Sequence, residues 1–153
     1  MFKILVDADA VPVKQEVYRV ARRYGIKVIL VANSPINAPV EDWLELVVVS
    51  SQLDAADDWI VDHVNQNDIV VTGDIPLAAR CLKKGARVLG HQGLVFTESS
   101  IGNALATRDL MTHLRDIGVN TGGPAVFDKK DRSRFPQALD RFIQTIRQVT
   151  GYP

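Results

Sequence analysis

Short apolar runs punctuate the first 90 residues and predict buried strands. Each run is rich in Val, Ile and Leu and ends near a glycine, an asparagine or a carboxylate. Apolar runs of this length, without alternation of polar residues, are typical of strands that are buried on both faces of a parallel sheet. The strands predicted in this way are 3–6, 27–31, 46–49, 68–71 and 87–89.

Between these runs, apolar residues recur at helical spacing. Residues 13–24 follow this spacing, and Gly25 is placed to end the helix as its C-terminal cap. Asp54, with Asp57 three residues later, predicts the start of a second helix, and Pro76 predicts the start of a third. Strands that alternate with helices predict an α/β fold, here a single three-layer domain with a mostly parallel sheet flanked by helices.

The chain changes character beyond about residue 99. Residues 101–117 have the spacing of a long helix, and residues 121–124 form a glycine-proline loop. Residues 131–135 are polar and basic, and residues 137–149 predict a last amphipathic helix. We therefore expect one domain over residues 1–153, with a C-terminal helical segment from about residue 99.

Composition narrows the class of protein. The chain has 153 residues, 46% of them hydrophobic, which is enough for the core of one domain. The lone cysteine excludes an internal disulfide and argues against a cysteine-rich zinc site. Eighteen basic residues balance eighteen acidic ones, which lowers the expectation of a dedicated DNA-binding module. Without a signal peptide or a membrane span, the expected location is the cytoplasm.

Six aspartates lie after the predicted strands: two follow the first strand, three lie in the turn and the first helical turn after the third, and one follows the fourth. In an open parallel sheet, ligands bind beyond the carboxyl ends of the strands. Gathering several carboxylates there costs free energy through repulsion unless a cation compensates them. Oxygen ligands without histidine or cysteine suit Mg²⁺ or Mn²⁺. The candidate metal ligands are Asp7, Asp9, Asp54, Asp57, Asp58 and Asp74.

Some of these aspartates also have a purely structural explanation. Asp54 and Asp74 are placed to cap helices, and Asp57 and Asp58 would favour the positive end of a helix dipole. The pair after the first strand has no such structural need. The sequence therefore favours a functional role for that pair, and for each of the others taken alone it favours the structural role over that of a ligand.

Several motifs occur together along the chain. They are Val6-Asp7-Ala8-Asp9-Ala10, Val31-Ala32-Asn33, Asp54-Ala55-Ala56-Asp57, Thr72-Gly73-Asp74-Ile75-Pro76, and Thr121-Gly122-Gly123-Pro124 followed by Asp131-Arg132. In combination they resemble the bacterial YaiI/YqxD family over nearly the whole chain. That family looks related to the PIN-like domains, which hold acidic residues at the end of a sheet, bind Mg²⁺ or Mn²⁺ and often cut single-stranded RNA.

The resemblance implies a metal-dependent phosphodiesterase, with single-stranded RNA as its partner. Asp7 and Asp74 match the PIN-like acids after the first and fourth strands, so they are the expected catalytic residues. The intermediate acid could be Asp54, Asp57 or Asp58, and the sequence does not choose among them.

Substrate contacts are expected from residues outside the acidic cluster. Asn33 and Thr72 follow strands and would support the acids or touch the substrate. If the glycine-proline loop folds over the acidic end, basic residues near it would contact phosphates. The candidates in this group are Arg108, Thr121, Gly122, Gly123 and Arg132.

Two other functions remain open at this stage. The first is a haloacid-dehalogenase-like phosphatase, in which Asp7 would be the nucleophile and Asp9 the acid two residues later. Its remaining motif positions would be Ser34, Lys83 or Lys84, and Asp74. Pro12 argues against it, because a helix that begins so soon leaves no room for the insert such enzymes carry.

The second is a non-catalytic metal-binding protein, since acidic clusters can persist without activity and no aromatic platform for bases is evident. A phospho-acceptor receiver is less favoured, because no lysine follows the fifth strand in the required place. The sequence does not predict the oligomeric state.

Overall fold

Six strands form one sheet in the computed structural model, which describes residues 2–52, 54–103, 105 and 129–151. In chain order they are β1 (Ile4–Asp7), β2 (Val28–Ala32), β3 (Leu44–Val48), β4 (Ile69–Val71), β5 (Arg87–Leu89) and β6 (Val95–Phe96). Across the sheet their order is β3-β2-β1-β4-β5-β6. The pairings from β3 to β5 are all parallel, and β6 alone pairs antiparallel, with β5. The mostly parallel sheet is thus confirmed.

Helices cover both faces of this sheet. They are α1 (Lys14–Tyr24), α2 (Ala55–His63), α3 (Ile75–Lys83) and α4 (Lys129–Thr150), and residues 98–103 are also helical. The buried side chains of α1 and α4 form one apolar cluster with the sheet, and those of α2 and α3 form a second cluster on the opposite face. The three-layer α/β architecture predicted from the sequence is confirmed, and it is consistent with a PIN-like domain.

The central strand β1 shows why its sequence contains so few polar residues. All four of its residues are buried. Ile4 and Val6 face the cluster of α1 and α4, whereas Leu5 faces the cluster of α2 and α3. Because successive side chains of a strand point to opposite faces, a strand covered on both sides must be apolar at every position. Asp7 is the exception, and it lies at the carboxyl end.

The last helix is longer than its sequence pattern predicts. The pattern places its start near residue 137, but α4 begins at Lys129 and includes Pro136. Phe135, just before the proline, is fully buried between the sheet and α1. Burial of such a side chain favours folding by about 1.5–3 kcal/mol, which is comparable to the cost of an internal proline. The polar and basic residues 131–135 are therefore helical.

Two further features of the sheet differ from the sequence prediction. β3 begins two residues earlier than predicted and ends one earlier, and β6 was not predicted at all. β6 has only two residues and is held by the turn from Gly90 to Gly93. A strand so short gives no periodic signal. Of the predicted helix 101–117, only residues 101–103 and 105 are described, and they are helical.

The strand order reverses at β1, and this reversal locates the functional end of the sheet. From β1 the chain proceeds outward through β2 to β3, and it then returns to place β4 on the other side of β1. The carboxyl ends of β1 and β4 are therefore neighbours whose following segments lead away from each other. Such a switch point leaves a crevice in which ligands bind in open α/β sheets.

Within the described ranges, no helix combines the length and the apolar character that crossing a membrane requires.

The left-handed conformation of Gly25 gives a test of the fold. Gly25 has φ 68° and ψ 36° as the C-terminal cap of α1, and no atom of the described residues other than its chain neighbours lies within 4 Å of where a Cβ would be. Only backbone strain therefore opposes a side chain. We expect Gly25→Ala to lower the free energy of unfolding by about 1–2 kcal/mol, a fall of several degrees in the melting temperature.

Gly102→Ala is the matched control for that measurement. Gly102 is helical and does not have a positive φ, and among the described residues no atom outside its own helix backbone lies within 4 Å of where a Cβ would be. We expect its replacement to leave the free energy of unfolding unchanged or to raise it by up to about 1 kcal/mol. Equal stability of the two variants in urea titrations would contradict the left-handed cap.

Candidate functional site

Asp7 lies at the end of β1 and is only 6% exposed. One of its carboxylate oxygens, Oδ2, accepts a hydrogen bond of 3.0 Å from the hydroxyl of Thr72, which directly follows β4 and is fully buried. Burial raises the pKa of Asp7, and the charges of Asp74 and Asp9 raise this pKa further, while the bond from Thr72 opposes the rise. The acid predicted to be catalytic is thus buried, and its surroundings disfavour its ionised form.

Asp74 stands at the start of α3 and has a structural role as well as a place in the site. Its Oδ1 accepts a hydrogen bond of 3.0 Å from the backbone N–H of Leu77, so the predicted N-terminal cap is confirmed. Its own backbone N–H donates to the hydroxyl of Thr72 at 3.0 Å. The hydroxyl of Thr72 therefore connects the carboxylate of Asp7 to the backbone that positions Asp74.

The start of α2 brings in two more carboxylates, but not by the capping that the sequence predicts. Asp54 adopts a left-handed conformation with φ 67°, and its side chain accepts no capping hydrogen bond in the described part of the chain. The predicted side-chain cap is therefore wrong. Asp54 is exposed, and together with Asp57 it lines a cleft whose other side is formed by Asp7 and Asp74.

Asp57 carries the electrostatic signature of this cleft. Burial raises the pKa of Asp57 to about 6, and the charges of Asp74, Asp7 and Asp54 add to the rise, while Arg80 lowers it. The neighbouring Asp58 instead forms an ion pair with Arg80, with 3.0 Å between Oδ1 and Nη1, and both side chains are largely exposed. Of the two adjacent acids, Asp57 faces the cleft and Asp58 turns away from it.

Asp9 supports the site from its rim. It is exposed, and its Oδ2 accepts a hydrogen bond of 2.6 Å from the backbone N–H of Asn33, which directly follows β2. The side-chain amide of Asn33 donates to the carbonyl oxygen of Ser50, beyond β3, at 3.0 Å. The pair Asp9 and Asn33 thereby ties together the segments that follow three neighbouring strands.

The segments that follow the strands line an open cleft of about 360 Å³ at the carboxyl edge of the sheet. Four of the six predicted ligands line it, and so does Asn33, whereas Asp9 and Asp58 do not. Sequence reasoning missed two polar lining residues beyond β3, for which only their position after a strand could have been a signal. The lining residues are Asp7, Asn33, Ser51, Gln52, Asp54, Ala56, Asp57 and Asp74.

The side chains of the other predicted substrate contacts are not among those that the structure describes. Arg108, Thr121, Gly122 and Gly123 lie outside the described residues, and Arg132 is described only as part of the backbone of α4. His91, which the sequence did not single out, lies close to the turn after β4. A Cβ on Gly73 would be 3.2 Å from its ring.

The donor set suits a hard divalent cation in its chemistry. All the acids at the cleft offer oxygen, the ligand that Mg²⁺ and Mn²⁺ prefer. Burial raises the pKa of Asp57, repulsion by Asp74, Asp7 and Asp54 raises it further, and a cation would relieve this repulsion. Within the described ranges, however, no three His, Cys, Asp or Glu side chains converge closely enough to hold a metal ion. Binding would therefore require these side chains to move together.

Comparison with known proteins places the chain among bacterial relatives. Residues 5–145 match the family described as "Uncharacterized BCR, YaiI/YqxD family". A UPF0178 protein of Rhodospirillum rubrum is 51% identical over 147 residues, which cover 95% of this chain and 98% of the relative. A UPF0178 protein of Rhodospirillum centenum is 52% identical over 152 residues, covering 97% and 99%. One from Brucella ovis is 56% identical over 147 residues, covering 95% and 91%.

The raised pKa of Asp57 predicts how stability depends on pH. In the unfolded chain this carboxyl ionises near 3.8, and in the folded protein near 6. The folded state holds the proton more tightly, so the free energy of unfolding falls as the pH rises from 3.8 towards 6. In the presence of a chelator, we expect Asp57→Asn to be more stable than wild type at neutral pH, by about 1–2 kcal/mol after solvent screening.

This difference should shrink as the pH falls and disappear well below 3.8, where both the folded and the unfolded state of wild type hold the proton. Asp62→Asn is the control, because it removes the same charge from an exposed position on the same helix. Its melting temperature should follow that of wild type across the pH range. A lower melting temperature of Asp57→Asn at neutral pH would contradict the electrostatic picture of the cleft.

Proposed function

The chain belongs to the YaiI/YqxD family, and from its carboxylate cleft we propose that it is a metal-dependent phosphodiesterase that cuts RNA. The observation that carries this proposal is the group of Asp7, Asp57 and Asp74, which come from three segments of the chain and line one cleft, where burial and the neighbouring charges raise the pKa of Asp7 and of Asp57. Perturbed carboxylates gathered in a cleft are typical of functional sites. Their position at the switch point of a parallel sheet supports the same conclusion.

Asp7, Asp74 and Asp57 are the residues that would hold the cation, and exposed Asp54 would complete the set. When bound, Mg²⁺ or Mn²⁺ supplies an activated water and charge stabilisation at phosphorus. These carboxylates repel one another in the absence of metal, and relief of this repulsion would add to the free energy of cation binding. The choice left open by the sequence among Asp54, Asp57 and Asp58 falls on Asp57 in this proposal, because Asp58 is paired with Arg80.

The other residues of the site would act by position. Thr72 donates its hydroxyl hydrogen to Asp7 and so orients one carboxylate oxygen, leaving the other for the cation. The bond from Asn33 to Asp9 fixes the rim of the cleft. Ser51 and Gln52 line the cleft with groups that can bond to ribose or phosphate oxygens. An open cleft suits a point along a polymer better than an enclosed small substrate.

The phosphatase alternative is less well supported by the arrangement of its motif residues. Its candidate lysines, Lys83 and Lys84, lie at the C-terminal end of α3, whereas Asp74 starts that helix at the edge where the cleft lies. The ammonium group of Lys84 donates to the carbonyl oxygen of Val61 at 2.8 Å. Ser34 is exposed and does not line the cleft. The lysine and the nucleophile of that mechanism would be at opposite ends of the domain.

Replacing Asp7 tests the metal site. Burial raises the pKa of Asp7, so its charge destabilises the metal-free fold at neutral pH. Asp7→Asn removes this charge and keeps an oxygen for Thr72. We expect the variant to melt above wild type in chelator. We also expect it to lose both the increase in melting temperature that millimolar Mn²⁺ gives wild type and the cleavage of labelled single-stranded RNA.

The exposed variant Asp62→Asn is again the control and should keep both the metal shift and the cleavage. A lower melting temperature of metal-free Asp7→Asn would instead indicate a structural hydrogen-bond acceptor, whose loss costs about 1–3 kcal/mol. No shift of the wild-type melting temperature by millimolar Mn²⁺ or Mg²⁺ would rule out the proposed cofactor.

The choice of substrate separates the proposed reaction from its alternatives. A phosphatase of the haloacid-dehalogenase type uses its aspartate as a nucleophile and would be trapped by beryllofluoride, whereas a metal-activated water leaves no covalent enzyme. With Mn²⁺, we expect wild type to cut single-stranded RNA and to leave a generic phosphomonoester intact. Hydrolysis of the monoester alone would favour the phosphatase. Metal binding without either activity would favour the non-catalytic protein.

A further inference from the structure

A second concave surface lies between α1 and α4, on the face of the sheet opposite α2 and α3. It encloses about 380 Å³. Arg19 and Arg23 of α1 line one side and Arg141 of α4 the other, over a floor that includes Val20 and Pro136. All three arginines are exposed. We refer to this surface as the arginine groove.

The charge of the groove is positive although the whole chain is neutral. Its lining contains one described acid, Asp140, which already has partners. The hydroxyl of Tyr24 and the amide of Gln144 both donate to Asp140, and Arg23 lies 3.6 Å from its Oδ1. Arg19 and Arg141 therefore contribute positive charge that this acid does not cancel. Local charge of this kind, more than the total, decides which partner a surface attracts.

The choice of arginine indicates the chemistry of the partner. A guanidinium group binds phosphate through two parallel hydrogen bonds, and its plane stacks on nucleobases, whereas an ammonium group does neither. The half-buried ring of Pro136, with Val20 buried beside it in the lining, provides apolar surface against which a base can pack. Arginines above an apolar floor suit a chain of phosphates and bases better than the carboxylates of an acidic protein.

The groove starts near the edge that carries the cleft. α1 begins seven residues after Asp7, and Arg19 lies five residues into the helix, about 7–8 Å along its axis. α4 starts at the same edge, because a Cβ on Gly93, in the turn after β5, would be 3.1 Å from the Cβ of Arg134. The groove thus runs away from the cleft edge between two helices that begin there.

We propose that the arginine groove binds the sugar-phosphate backbone of the single-stranded RNA whose cleavage is proposed above, on which this inference rests. The groove holds the strand a few nucleotides away from the carboxylates. Its arginines supply affinity that the acidic cleft cannot, because the cleft repels phosphate until a cation is bound. In this proposal the positively charged groove binds the RNA, and the negatively charged cleft near it cuts the RNA.

Fluorescence anisotropy of a labelled single-stranded RNA of about twelve nucleotides, in EDTA and over a series of KCl concentrations, tests the proposal. The test variant is Arg19→Gln/Arg141→Gln. Loss of two phosphate contacts should weaken binding at least about tenfold at low salt. It should also reduce the slope of log affinity against log salt by about 1.4, because each contact with a single strand contributes about 0.7.

The matched control is Arg22→Gln/Lys27→Gln, which removes the same two charges outside the groove. Arg22 lies over the ring of Trp43, and Lys27 pairs with Glu45. We expect this control to keep the slope of wild type. Thermal melting of both double variants establishes that they fold, and Asp7→Asn, which retains the groove, should bind RNA at least as tightly as wild type in EDTA.

Several outcomes would overturn the proposal. Equal losses in the two double variants would mean that only total charge matters, and competition by polyglutamate as effective as that by unlabelled RNA would indicate an acidic protein partner. If wild type cuts RNA and Arg19→Gln/Arg141→Gln cuts it with an unchanged KM, the groove does not bind the substrate, although the proposed nuclease activity stands. If RNA binding depends on the groove but wild type does not cut RNA in Mn²⁺, the proposed nuclease activity is wrong and the RNA-binding groove stands.

Discussion

The hydrogen bond from Thr72 to Asp7 is the contact on which the organisation of the site depends. It joins the carboxyl ends of β1 and β4, the two strands between which the chain reverses direction across the sheet. The oxygen of the same hydroxyl accepts a hydrogen bond from the backbone N–H of Asp74 and so fixes the start of α3. A buried carboxylate that lacked such a donor would be far more costly to the fold. One small side chain thus makes a charged site compatible with an apolar sheet.

The place of the cleft was predictable from the sequence, because the carboxyl ends of parallel strands meet at one edge of the sheet. The sequence could not tell which aspartates face inward, because local backbone and distant partners decide this. Asp54 turns into the cleft through a left-handed conformation that its sequence does not signal. Asp58 turns away because Arg80, on the next helix, is within reach. Asp9 finds its partner in the backbone of Asn33, a contact that no spacing encodes.

The fold itself was more predictable than the site, for a physical reason. Strands buried on both faces must be apolar throughout, so β1, β2 and β4 stand out in the sequence. The errors fall where a tertiary contact outweighs local preference. Burial of Phe135 carries α4 through Pro136, and the two-residue β6 exists only because β5 offers it a partner. The contacts of Phe135 join distant parts of the chain, and β6 is too short to give a periodic signal.

The bonds of Asn33 connect the rim of the cleft to an edge strand of the sheet. β3 is an edge strand whose residues are exposed or only half-buried. Native proteins open first at such elements, long before the core gives way. When β3 separates from β2, the carbonyl oxygen of Ser50 moves with it, and the adjoining Ser51 and Gln52 leave the cleft. Opening of this edge strand would therefore disassemble the rim, whereas the carboxylate of Asp7, on the buried central strand β1, would stay in place.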